Sequence, residues 1–194
     1  MQSPDFPSVI ALLYADGRRM DPLMASVAAR LEAAGVRLAG FVQHERHRPG
    51  RSRCDMILED LSGRGRVEIS EDRGPDARGC RLDQGALIGA MQGAREAIAE
   101  GGADLLILNK FGKSECEGGG FRPLFVDAVE RGIPVVIAVP LRNLDAWRAF
   151  AGDLAVEIDI DTEAASASAL FRRVLSAALD RDTPSSLSAE VMPS

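Results

Sequence analysis

Histidine and cysteine are scarce in this chain: two histidines, His44 and His47, and three cysteines, Cys54, Cys80 and Cys116, in 194 residues. The cysteines are odd in number and far apart, which excludes a disulfide framework and fits a reduced, cytoplasmic protein. The histidines share one loop with Cys54, but the spacing is not that of a standard zinc site, so no metal is expected there. No Ser-His-Asp or Cys-His arrangement and no Gly-x-Gly-x-x-Gly can be assembled. Aromatic residues are few, at 5%. The apolar run near the N-terminus is too short for a membrane span and lacks the basic flank of a signal peptide. A soluble protein without membrane insertion is therefore expected. A net charge of −6 and a pI near 5.0 exclude a chain built to coat nucleic acid.

What is present is the rhythm of an α/β domain. SVIALLY (8–14) and IPVVIAV (133–139) are continuous apolar runs suited to central parallel strands, and so is the run at 104–109. VRLAGFV (36–42) is a further strand and LAVEI (154–158) a short one. Asp21-Pro22 reads as an N-cap followed by proline at the first helical position, opening a helix that Gly35 stops. Further helices are expected over 86–101, 121–131, 144–152 and 163–179, with Trp147 and Phe150 as core residues. CDMILEDL and RVEIS flank the turn Ser62-Gly63-Arg64-Gly65, which predicts an antiparallel hairpin inserted into the α/β order. Residues 71–85 have turn chemistry and no period. The expectation is one α/β domain over 1–180, a three-layer sandwich with a mainly parallel sheet, followed by a loose tail over 181–194.

Chemistry in such a sheet gathers in the loops past the strand ends. A working phosphate loop needs G-x-x-x-x-G-K-[ST] after the first strand, where backbone amides, a lysine and a hydroxyl hold phosphates and magnesium. The segment here is ADGRRMD: one glycine, Gly17, then Arg18 and Arg19, which could grip an anion or simply be solvated. The run LLILNKFGKSECEGGG (105–120) places Asn109 and Lys110 where a nucleotide hydrolase carries acids for magnesium. Asn109 is a poor magnesium ligand and a protonated lysine is no general base. Lys110, Lys113 and the bare glycines Gly118, Gly119 and Gly120 suit an anion held without metal. Glu115 and Glu117 oppose this, by repelling anions or pairing with the lysines. Cys80 beside Arg81 is either a thiol of lowered pKa that completes the site or an inert buried residue. The basic stretch 43–53, with Arg46, Arg48, Arg51 and Arg53, is either a contact surface for phosphate or an acidic protein partner or a solvated loop.

Four segments together carry a resemblance: CDMILEDLSG, GCRLD, ADLLILNKFGKSECEGGGFRPLF and GIPVVIAVPLRNLDAWRAFAG. They resemble a bacterial domain-of-unknown-function family often encoded beside molybdate uptake genes, over about Val9 to Val156. NKFGK-E-EG-G-FR is the most specific part. That family is similar in layout to small P-loop nucleoside triphosphatases, whose later strand ends in Asp-Glu-x-Gly-Lys. Gly112-Lys113 match the end of that motif, Asn109 and Lys110 replace its acids, and Gly17 is at best a remnant of the phosphate loop. The resemblance implies a P-loop-NTPase-like fold and a molybdenum context, but not hydrolysis.

The sequence thus points to an oxyanion-binding protein, with molybdate or a phosphate-bearing ligand at Gly17, Arg18, Arg19, Cys80, Arg81, Asn109, Lys110, Lys113, Gly119 and Gly120. No catalytic residue and no further cofactor are expected. An atypical nucleoside-triphosphate-binding enzyme and a pseudo-enzyme that docks partners are the alternatives, and self-association is left open.

Overall fold

The computed structural model describes residues 9–47, 54–70, 83–161 and 167–179. Seven strands form one sheet: β1 (Val9–Tyr14), β2 (Leu38–Arg46), β3 (Asp55–Asp60), β4 (Gly65–Glu68), β5 (Leu105–Leu108), β6 (Val135–Pro140) and β7 (Ala155–Asp159), in the order β4-β3-β2-β5-β6-β1-β7. The five strands from β2 to β7 in that order are parallel. The expected hairpin is β3–β4, and it extends the sheet antiparallel to β2. The helices are α1 (Gly17–Ala33), α2 (Gln84–Ala99), α3 (Lys113–Cys116), α4 (Arg122–Glu130), α5 (Leu144–Ala151) and α6 (Ala167–Leu179).

Strand alternation sorts the core into two faces. Val9, Ala11 and Leu13 pack with α2, α4 and α5, whereas Ile10, Leu12 and Tyr14 pack with α1 and α6. A strand buried on both sides must be apolar at every position, and each of the six residues of β1 and of β6 is buried. The three-layer α/β sandwich with a mainly parallel sheet is therefore the observed architecture. Trp147 is buried, with Phe111 and Phe125 edge-on to it and Phe150 tilted against it, as its helical spacing from Phe150 suggests.

Three local readings change. Helix α1 starts at Gly17, with Asp16 as its N-cap: the Asp16 carboxylate accepts the Arg18 N–H at 3.0 Å. Pro22 lies inside the helix, and Asp21 is free to point elsewhere. Residues 43–46 are strand rather than loop, because their amides and carbonyls pair with β3. Lys113–Cys116 form a short helix inside the expected glycine loop. Residues 1–8, 48–53, 71–82, 162–166 and 180–194 lie outside the described residues, and with them Arg48, Arg51, Arg53, Cys80 and Arg81. Among the described residues, no helix is long and apolar enough to cross a membrane.

Gly40 sets the closeness of β2 to β5. Its φ is +96°, and a Cβ there would lie 2.0 Å from the Ile107 carbonyl oxygen. Gly35, with φ +85°, has nothing within 4 Å of the same position. Gly35→Ala should cost about 1–2 kcal/mol, the strain of left-handed backbone alone. Gly40→Ala adds an unrelieved backbone clash and should cost more than about 3 kcal/mol. Equal costs in urea unfolding would show that β2 moves freely against β5.

Candidate functional site

Parallel strands bring their C-terminal ends to one edge, and β2 runs past the end of β5 there. Gln43 of β2 consequently lies beside Asn109, the first residue after β5. Asn109 is 1% exposed, and its Oδ1 accepts the Gln43 backbone N–H at 2.9 Å. Its Nδ2 donates to Asp21 Oδ1 at 3.1 Å, and Gln43 Nε2 donates to Asp21 Oδ2 at 3.2 Å. Three elements, β2, β5 and α1, are thereby joined by three side chains. Burial pushes the Asp21 carboxyl above its ordinary value, while the Lys110 charge and the two amide donors act in the opposite direction. Sequence reasoning placed Asp21 at a helix cap and gave Gln43 no role. The signal was present: on α1, Asp21 borders the buried stripe Met20, Met24, Val27, Ala28 and Leu31.

The loop past Asn109 is organised around a second carboxylate. Phe111 is fully buried; its N–H donates to the Ala138 carbonyl at 2.8 Å and its own carbonyl accepts from Asn143 Nδ2 at 2.8 Å. The chain is thus tied to the end of β6 while Lys110 and Lys113 stay nearer the surface. Glu115, 6% exposed, accepts the Gly112 N–H at 2.8 Å and the Phe121 N–H at 2.9 Å. Gly118 donates to the Glu115 carbonyl and Gly119 to the Ser114 carbonyl. The amides of Gly118 and Gly119 are therefore committed within the loop rather than bare. Gly120 has φ +60°, and a Cβ there would sit 1.8 Å from Glu115 Oε1, so the glycines make room for this carboxylate. Both Glu115 oxygens are taken by backbone amides, whereas Glu117 pairs with Lys113 at 3.6 Å on the exposed surface.

Two cavities flank the Gln43–Asn109 junction. One, of about 160 Å³, is walled by Met56, Leu58, Ile69, Leu87 and Phe121 and rimmed by Asn109, Lys110, Gly112, Lys113 and Ser114. The other, of about 320 Å³, is lined by Gly17, Arg18, Asp21, Pro22, Gln43, His44 and Glu45. The predicted residues are thus divided between neighbouring hollows: Asn109, Lys110 and Lys113 at the first, Gly17 and Arg18 at the second. Arg18 folds back on Asp16 at 2.8 Å, and this contact and the backbone amide of Arg18 hold the Asp16 carboxyl below its usual range. Arg19 is exposed on the first turn of α1. Among the described residues Lys110 has no ion-pair partner, although its charge reaches Asp21. Arg46, read as part of a free basic surface, is paired with Glu68 and Asp55, and His44 with Glu59 at 2.6 Å.

The comparison with known families is decisive on one point: the family model described as "Protein of unknown function (DUF2478)" matches residues 9–167. The chain belongs to the DUF2478 family. This DUF2478 chain is also 35% identical over 146 residues to the molybdenum import ATP-binding protein ModC 2 of Bradyrhizobium diazoefficiens. The match covers 75% of the chain but only 16% of that relative, so the chain spans about a sixth of the curated protein it resembles. The crystal structure of THEP1 from the hyperthermophile Aquifex aeolicus is similar, with a TM-score of 0.54 over 87% of this chain and 97% of THEP1. At 22% identity that likeness concerns the fold, which is P-loop-NTPase-like as expected.

Two expected outcomes follow from the paired carboxylates. Glu115→Gln leaves one buried backbone N–H facing an amide donor and should cost about 1–3 kcal/mol. Glu117→Gln, at an exposed pair, should cost at most about 0.5 kcal/mol. Comparable losses in urea unfolding would remove Glu115 from its organising role. Asp21, raised above 3.8, binds its proton more tightly in the folded chain than in the unfolded one. Its contribution to stability is therefore fully present below the unfolded value and lost as pH rises through the folded value. Wild type should lose stability relative to Asp21→Asn over that interval and stay level above it. A difference that is flat or grows with pH contradicts the burial of this carboxyl.

Proposed function

We propose that this DUF2478 domain binds an oxyanion or phosphate-bearing ligand, molybdate among the former, in molybdenum handling, and that it does so without hydrolysing nucleotide. The observation that carries the reading is the position of Lys110 and Lys113, at the mouth of a cavity directly beyond β5. Open α/β sheets bind ligands at this edge. Lys110 is the stronger anchor, because it is less exposed than Lys113 and has no ion pair among the described residues. The apolar wall of Met56, Leu58, Ile69, Leu87 and Phe121 suits a ligand that carries its anionic group on an organic body. A bare tetrahedral oxyanion would engage only the lysine rim.

The absence of hydrolysis rests on what surrounds the site. The link from β1 to α1 is only Ala15-Asp16, too short to wrap a triphosphate, and the Asp16 carboxylate already takes an amide at the start of α1. Asn109, at the end of β5, is locked by Gln43 and Asp21. The molybdenum context is supported by the similarity to a molybdenum import ATP-binding protein. Because the match is a small part of a much longer polypeptide, a second reading is docking beside such an ATPase.

Calorimetry tests the proposal with molybdate, tungstate, sulfate, phosphate and mononucleotides. At least one should bind without magnesium, and neither ATP nor GTP should turn over. Lys110→Ala should weaken binding by about tenfold or more, since a charge-assisted hydrogen bond is worth about 1.5–3 kcal/mol and each decade about 1.4 kcal/mol. Lys113→Ala should weaken it less. Absence of any binding below the millimolar range would favour docking, and magnesium-dependent turnover would return the protein to the nucleotide enzymes.

A further inference from the structure

The β2–β3 ladder builds a cluster of different chemistry from the anion site. Glu45 is opposite Met56 and Arg46 opposite Asp55, so one more step of the same register sets His47 opposite Cys54. Opposed residues of an antiparallel pair share a face, and so do residues two apart along one strand. Glu45, His47 and Cys54 therefore converge on one face, and their ligand atoms all lie within 4.8 Å of one another. Cys54 Sγ is 3.1 Å from His47 Nδ1 and 3.5 Å from Nε2. Tetrahedral zinc, with bonds of about 2.3 Å to sulfur and about 2.0 Å to nitrogen, sets those two atoms about 3.5 Å apart. The thiol and imidazole are thus already spaced for a shared ion. Glu45, an exposed side chain, can close the remaining gap by a change of rotamer.

We propose that Glu45, His47 and Cys54 form a zinc site with carboxylate, imidazole and thiolate ligands and a fourth position left for water or an exogenous ligand. The donor set suits this ion, which accepts sulfur, nitrogen and oxygen without a geometric preference of its own. A thiolate and a carboxylate this close repel unless a cation lies between them. The guanidinium of Arg46 does not fill that place, since it pairs with Asp55 and Glu68 on the opposite face. His44, also on that face and bound to Glu59, is excluded from the cluster. Glu45 in addition lines the larger cavity, which sets the metal at its rim.

Cobalt(II) added to the reduced full-length chain is the spectroscopic probe, with zinc as competitor. One equivalent should produce a thiolate-to-cobalt charge-transfer band together with the intense visible bands of a four-coordinate ion, and zinc should abolish both. Cys54→Ser should remove the charge-transfer band, whereas Cys80→Ser and Cys116→Ser should retain it. His47→Ala should weaken binding by more than about tenfold, the lower bound for losing even an outer-shell partner. His44→Ala should bind as wild type, and thermal melts confirm that each variant is folded. No thiolate band in wild type, a band that survives in Cys54→Ser, or unchanged affinity in His47→Ala would each overturn the site. Because the readout is a cobalt–sulfur transition, its failure is independent of any failure of anion binding at Lys110.

Discussion

A carboxamide with no room to move holds the site edge of the sheet together. Asn109 directly follows β5, with its oxygen taken by the backbone of β2 and its nitrogen by Asp21 of α1. Buried polar groups must be paired, and here each end of one side chain satisfies a group on a different element. Lys110, Phe111 and the loop beyond them start from this fixed point. Were Asn109 a carboxylate, it would face Asp21 across a partly desolvated gap and the two charges would repel. The replacement of the expected acid is thus matched to a carboxylate contributed by α1.

Carboxylates of the chain itself take backbone amides at both places where a phosphate would be sought. Asp16 caps α1 and Glu115 bridges Gly112 to Phe121. A helix start or glycine loop presents amide N–H groups that favour negative charge, and an internal carboxylate supplies that charge permanently. The ligand that remains admissible is one that meets side-chain ammonium groups and the apolar wall beside them. This is why the lysines, rather than the glycines, carry the functional proposal.

The hairpin β3–β4 adds a second consequence. By pairing with the end of β2 it turns a basic stretch of sequence into two faces of opposite character. Arg46 and His44 face one way into ion pairs, while Glu45 and His47 face the other way, toward Cys54. Period-two alternation separates the two histidines that adjacency in sequence had grouped.

The parallel strands, the hairpin and most helices were legible because apolar periodicity and turn chemistry are local properties of the chain. The family membership was legible too, carried by the run from Asn109 to Arg122 and its flanking segments. The loop at Asn109 could be located for the same reason, since it follows a four-residue apolar run. Tertiary structure decided the rest. Asp21 looks like a helix cap until α1 is docked against β5, and Gln43 looks like loop until β3 pairs with β2. Glu115 looks like surface charge until the glycines fold around it. In each case the deciding partner is distant in sequence or lies across a turn that no local pattern encodes, and burial gives the side chain its role.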